Sequence, residues 1–137
     1  ADVRMDTLER LDEFLAELHD DGVMVIGVTV PYHYEIYDAM QVSGDYTYMD
    51  KAAPMIDTLF ERYGFDYYYF ADMRVYGASY DEWYDGWHIT ESNSLRMLNL
   101  IFQEHPDLFD DYTDDDVVQT MLDTFTNPMD VLGELPQ

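Results

Sequence analysis

Cysteine is absent from this chain of 137 residues. Disulfides, thiolate catalysis and cysteine-bound zinc are therefore excluded, while the cellular compartment stays open. Basic residues are scarce: Lys51 is the only lysine, and six Lys and Arg stand against thirty Asp and Glu, a net charge of −24. A surface of that sign repels nucleic-acid phosphates and anionic membranes, so no nucleic-acid partner is expected. No run of about 18 apolar residues exists to span a bilayer. No basic-then-apolar leader opens the chain. It begins inside a helical pattern, as a piece cut from something longer would. The Asp-x-Asp-x-Asp-Gly spacing of a calcium loop is missing and the acids are spread along the chain, so neither a metal nor a cofactor is expected. Two readings of the acidity stay open. It is a solvation device suited to salty surroundings, or it is a compositional bias of the lineage.

Apolar residues are plentiful, at 47% with 16% aromatic, which separates the chain from acidic disordered tails. The length suits one domain, expected over residues 1–125, with 126–137 as a tail. Residues 6–20, DTLERLDEFLAELHD, carry Leu8, Leu11, Phe14, Leu15 and Leu18 on one helical face. Asp6 and Glu9 have capping-box spacing. After the Asp20-Asp21-Gly22 stop, VMVIGVTVP (23–31) reads as a strand buried on both faces, as in parallel sheets. Residues 31–40 read as a loop entering a short helix, and 41–48 as a polar turn. Residues 49–63 read as a helix with Pro54 in its first turn and Gly64 as its stop.

FDYYYFAD (65–72) is a second strand candidate. A loop-rich stretch then leads to a helix over 90–103, with Thr90 as its cap and Leu95, Leu98, Ile101 and Phe102 as its buried stripe. A last helix is expected over 113–125, with Thr113 and Asp116 in capping-box positions. Helix, strand, helices, strand and helices in that order imply an α/β fold with a parallel pair. Two strands make a small sheet, so it is expected to be completed by further short strands of this chain, by a second copy, or by a missing N-terminal half of the same protein.

In open parallel sheets, sites form beyond the carboxyl ends of strands. The stretch YDGWHIT (84–90) lies after the second strand candidate and just before a helix. Asp85, three residues ahead of His88, can reach round to Nδ1–H, with Gly86 giving the turn backbone freedom. The carboxylate then fixes the tautomer and leaves Nε2 to take a serine proton. The bland alternative is a capped turn. His33 follows the first strand, where it lines the same cleft or sits on a polar rim. Trp87 forms a substrate-facing wall or packs on other aromatics. Asp72 contacts the site or caps a turn. Ser92 and Ser94 read as ordinary surface or packing positions.

The stretches TLERLDEFLAELHDDGVMVIGVTVPYH and YYYFADMRVYGASYDEWYDGWHITESNSLRMLNLIF together resemble the C-terminal half of the SGNH/GDSL hydrolase superfamily. They look closest to the cell-envelope branch related to the D-alanyl transfer protein DltD and other polysaccharide O-acyl-transfer proteins. The resemblance covers roughly residues 6–103, and DGWH is its one specific motif. It implies a three-layer α/β/α, flavodoxin-like fold whose parallel sheet is incomplete in this chain. It also implies that Asp85 and His88 are the triad Asp and His of an esterase or O-acyltransferase. The substrate would be an acyl ester or glycan, and the parent protein would lie at the cell surface or outside the cell. The four serines, Ser43, Ser79, Ser92 and Ser94, lack the family's Gly-Asp-Ser-like context. The nucleophile is therefore expected outside this chain. The competing expectation is a non-catalytic acidic interaction domain, dimeric through a sheet edge.

Overall fold

Two helices of the first half stop in the same way. Helix α1 spans Met5–Asp20 and α3 spans Thr47–Arg62. Behind α1, Gly22 takes φ +72°, its N–H donates to His19 O (3.0 Å), and Val23 N–H donates to Leu18 O (2.9 Å). Behind α3, Gly64 takes φ +72°, its N–H donates to Glu61 O (3.0 Å), and Phe65 N–H donates to Phe60 O (3.1 Å). A left-handed glycine with paired return bonds satisfies carbonyls that the helix end would orphan. In α3 the closure also brings Phe65 onto Phe60, and both are buried.

The computed structural model describes residues 2–134; Ala1 and residues 135–137, the end of the expected tail, lie outside the described residues. The chain is mixed α/β and largely helical, in the order α1, β1 (Ile26–Thr29), α2 (Tyr34–Ser43), α3, β2 (Asp66–Tyr69), a 3₁₀ turn at Met73–Tyr76, α4 (Glu91–Glu104), α5 (Pro106–Phe109) and α6 (Asp115–Thr124). It forms two compact units. One holds the described residues up to Val30 together with Tyr37–Ala71; the other holds Pro31–Ile36 together with the described residues from Asp72 on. Among the described residues no helix is long and apolar enough to cross a membrane.

In the first unit, β1 and β2 pair in parallel, with Ile26 opposite Asp66 and Thr29 opposite Tyr69. Leu8, Leu15, Leu59, Phe60 and Phe65 form the core, and Val25, Ile56 and Tyr67 pack on it. The expected strand over 23–31 shortens to four residues and is not buried on both faces, since Val23, Met24, Val28 and Val30 are exposed. Two strands of four residues cannot enclose both faces of β1. Phe14 likewise lies in solvent rather than on the α1 stripe. Asp6 does not cap α1. Arg4 stands at the cap in extended backbone and pairs with Asp6 (2.5 Å), which sits in the first turn where the helix dipole favours a carboxylate. Pro54 is interior to α3 rather than in its first turn, because α2 persists to Ser43 and α3 already begins at Thr47.

The second unit is organised by α4. Leu95 packs with Val118 of α6 and with Val131, and Met121, Leu122 and Phe125 extend that cluster. Asp114, not Thr113, caps α6 and accepts Val117 N–H (3.1 Å). Leu98 is exposed, because the face of α4 that turns inward carries Ser92, Asn93, Leu95, Asn99 and Ile101. Residues 126–134 return along this helix. Ser92 N–H donates to Pro128 O (3.1 Å), Leu132 N–H donates to Glu91 Oε2 (3.2 Å), and Val131 is buried.

Candidate active site

The stretch YDGWHIT folds as a small antiparallel loop in the second unit. Trp83 and Ile89 form a bridge at its base, and Tyr84 N–H donates to His88 O (3.2 Å). At its tip one carboxylate does two things. Asp85 Oδ1 accepts the N–H groups of Trp87 (2.7 Å) and His88 (2.8 Å), closing an Asx turn. Asp85 Oδ2 meets His88 Nδ1 at 2.7 Å. An ionised carboxylate only accepts, so Nδ1 carries the proton and Nε2 holds the lone pair. Among the described residues nothing bonds Nε2, and the His88 side chain is 74% exposed against 52% for Asp85. The His88 imidazole, then the backbone N–H groups of Trp87 and His88, hold the Asp85 carboxyl below the usual range.

Glycine serves this turn differently from the expectation. Gly86 does not need a left-handed backbone. A Cβ there would lie 2.7 Å from the Ile36 side chain, so the residue is small because Ile36 is close. Gly86 O accepts His33 N–H (3.3 Å), tying residues 31–36 to the loop. His33 spends both ring nitrogens: Nε2 donates to Tyr80 O (3.2 Å) and Nδ1 accepts Glu35 N–H (3.3 Å). Its ring stands edge-on to Trp83, with centroids 5.6 Å apart. Trp87 is 55% exposed and meets Tyr32 edge-to-face at 5.5 Å. Asp72 caps the 3₁₀ turn by accepting Arg74 N–H (3.0 Å). Burial alone would raise its carboxyl, but bonds from Arg74 hold it low.

The feet of the loop are fixed by a buried polar network. Thr90 caps α4, accepting Asn93 N–H (3.3 Å) and donating to Glu82 O (2.8 Å). Asn93 Nδ2 donates to Glu82 O (2.6 Å) and Ser79 O (3.1 Å), while its Oδ1 accepts Ser79 N–H (2.8 Å). Glu82 Oε2 accepts Ser92 Oγ–H and Arg96 Nη1–H, both at 2.6 Å. Burial would push the Glu82 carboxyl up, but the Arg96 guanidinium and Ser92 hydroxyl outweigh it and hold it low. Ser92, which the sequence marks as an ordinary position, is thus a buried member of this network, and Glu82 and Asn93 join it without any motif to announce them. The available signal was polar residues recurring at the inward spacing of an otherwise apolar helix.

The serines do not complete a triad within the described residues. Ser43 Oγ donates to Met40 O (2.8 Å), Ser94 Oγ donates to Thr90 O (2.8 Å) and Ser92 Oγ donates to Glu82. Ser79 is held through Asn93 and Glu82. Among the described residues no three His, Asp or Glu side chains converge on a point that could hold a metal ion. Comparison with protein-family models, with curated proteins and with solved structures returned no match.

Proposed function

We propose that Asp85 and His88 are the orienting acid and the general base of an SGNH-like serine esterase or O-acyltransferase, built on a three-layer flavodoxin-like fold that this chain supplies in part. The observation that carries this reading is the 2.7 Å bond from His88 Nδ1 to Asp85 Oδ2 beside an exposed Nε2 with no partner among the described residues. A triad needs that arrangement: the carboxylate fixes the tautomer, and the far nitrogen meets the nucleophile. A serine from outside this chain attacks the acyl carbonyl. Nε2 takes its proton as the C–O bond forms, and the imidazolium returns that proton to the departing alkoxide. Trp87, exposed beside His88, offers the apolar wall for the acyl group or a sugar face, and His33 holds the loop beneath. The substrate on this reading is an acyl ester of a cell-surface glycan or polymer.

The test is ester hydrolysis and acyl transfer by the full-length parent protein carrying His88→Ala or Asp85→Asn. Turnover is expected to fall by about a thousandfold or more for each, with KM little changed. Undiminished turnover in His88→Ala overturns the reading.

A second reading, a non-catalytic dimerisation domain, is favoured by the sheet. Among the described residues β1 and β2 have only each other as strand partners, and an open edge is a template for a second copy. Sedimentation equilibrium decides it. A concentration-dependent dimer that a proline in β1 abolishes supports this reading, and a monomer at all concentrations removes it.

A further inference from the structure

We propose that the groove between α1 and α3 in the first unit binds a small amphiphilic cation, an apolar chain that carries one ammonium group. On α1, Met5, Leu8 and Asp12 recur at helical spacing, and on α3 so do Met55, Leu59 and Arg62, so each helix turns one stripe to the groove. The groove has a volume of about 390 Å³, within the range of small-molecule sites. Its walls can be reached from solvent: Met5 is 55% exposed, Pro54 and Thr58 are exposed, and Met55 is half-buried. Buried Leu8 and Leu59 complete an apolar lining.

The polar groups of the lining decide which charge a ligand carries. Thr58 Oγ–H is spent on Pro54 O (2.9 Å). The Arg62 guanidinium is paired with Asp12 Oδ2 (2.5 Å), and Asp12 Oδ1 accepts the Tyr63 hydroxyl (2.8 Å). Glu9 is the remaining charged group of the lining. It is exposed, and among the described residues no cation pairs with it. An apolar wall beside one uncompensated carboxylate is complementary to an apolar body with one positive charge. The net charge of −24 acts in the same direction, concentrating cations around the chain and depleting anions. A neutral apolar molecule would gain the wall and leave the carboxylate unpaired, and a fatty carboxylate would set like charges together.

The experiment is a titration of the chain, labelled with ¹³C in its methionine methyl groups, with hexylammonium, hexanol and hexanoate. The Met5 and Met55 methyl resonances are expected to shift together at millimolar hexylammonium. Hexanol should bind about two- to fivefold more weakly, the worth of one exposed ion pair, and hexanoate more weakly still. Glu9→Gln, at an exposed helical position that tolerates either residue, should bring hexylammonium down to the level of hexanol and leave hexanol unchanged. Thr58→Phe, which fills the groove from its exposed wall, should abolish binding of all three. The proposal is overturned if no probe moves both methyls, or if hexanoate binds as tightly as hexylammonium. It is equally overturned if the preference for the ammonium survives in Glu9→Gln, which would trace it to net charge alone. A shift of both methyls on dilution of the protein without any probe would put a second copy in the groove and also overturn it.

Discussion

Asp85 spends its two oxygens on three donors within four residues of chain. Local bonds of this kind need little from the rest of the molecule, which is why the motif could be read before any fold was known. The carboxyl is held low, so the sign of its linkage to stability is set. Its contribution is present above the unfolded value, about 3.9, and is lost as pH falls through the lower folded value. Because the pair is exposed, salt screens it and the contribution is small. We expect the Asp85 carboxyl resonance to titrate below the ordinary range, and His88→Ala to return it toward that range. A downfield Nδ1 proton should be visible in the parent and lost in Asp85→Asn. An unaltered Asp85 titration in His88→Ala would show that the turn amides alone hold the carboxylate. His33 was equally visible as a residue, but its role was not: both its partners are backbone groups, one of them 47 residues away.

At the scale of the element, helix ends were more legible than helix starts. Gly22 and Gly64 mark their stops because only glycine takes φ near +72° cheaply. The starts depended on where the preceding element ended, which shifted α3 to Thr47 and left Pro54 inside it. An interior proline forfeits a backbone bond and crowds the preceding turn, at about 3 kcal/mol. Against that stands the proline's restriction of the unfolded chain, about 0.4–1 kcal/mol. Pro54→Ala is therefore expected to stabilise by roughly 1–3 kcal/mol. Gly64→Ala should destabilise by about 1–2 kcal/mol, since a Cβ in the left-handed region is strained even though the space around it is open. Urea unfolding of both variants measures the two signs directly. Equal midpoints would mean that α3 frays at these positions and that neither strain reaches the folded state.

At the scale of the whole molecule, the charge of −24 works against compactness. Added salt screens repulsion between charges roughly 10 Å apart, so molar KCl should raise the melting temperature by about 5 °C or more. Acid acts in two opposed ways. As carboxylates neutralise toward the isoelectric point near 4.1, repulsion fades and stability rises. Below that range Asp72, Glu82 and Asp85, all held low in the folded state, take up protons and their contributions are lost. Thermal melts across pH should therefore show a maximum on the acid side of neutrality and a fall below about pH 4; a flat profile from pH 7 to 4 would show that self-repulsion is negligible. The sequence by itself determined the mixed α/β character, the helix stops and the Asp85–His88 pair, because these rest on periodicity, glycine conformation and contacts within a few residues. The tertiary structure alone decided that β1 is only half-buried, that α4 turns Ser92, Asn93 and Asn99 inward, and that Glu82 joins Arg96. Those outcomes depend on which surfaces are covered by residues distant in the chain, and burial of that kind leaves no local periodicity to read.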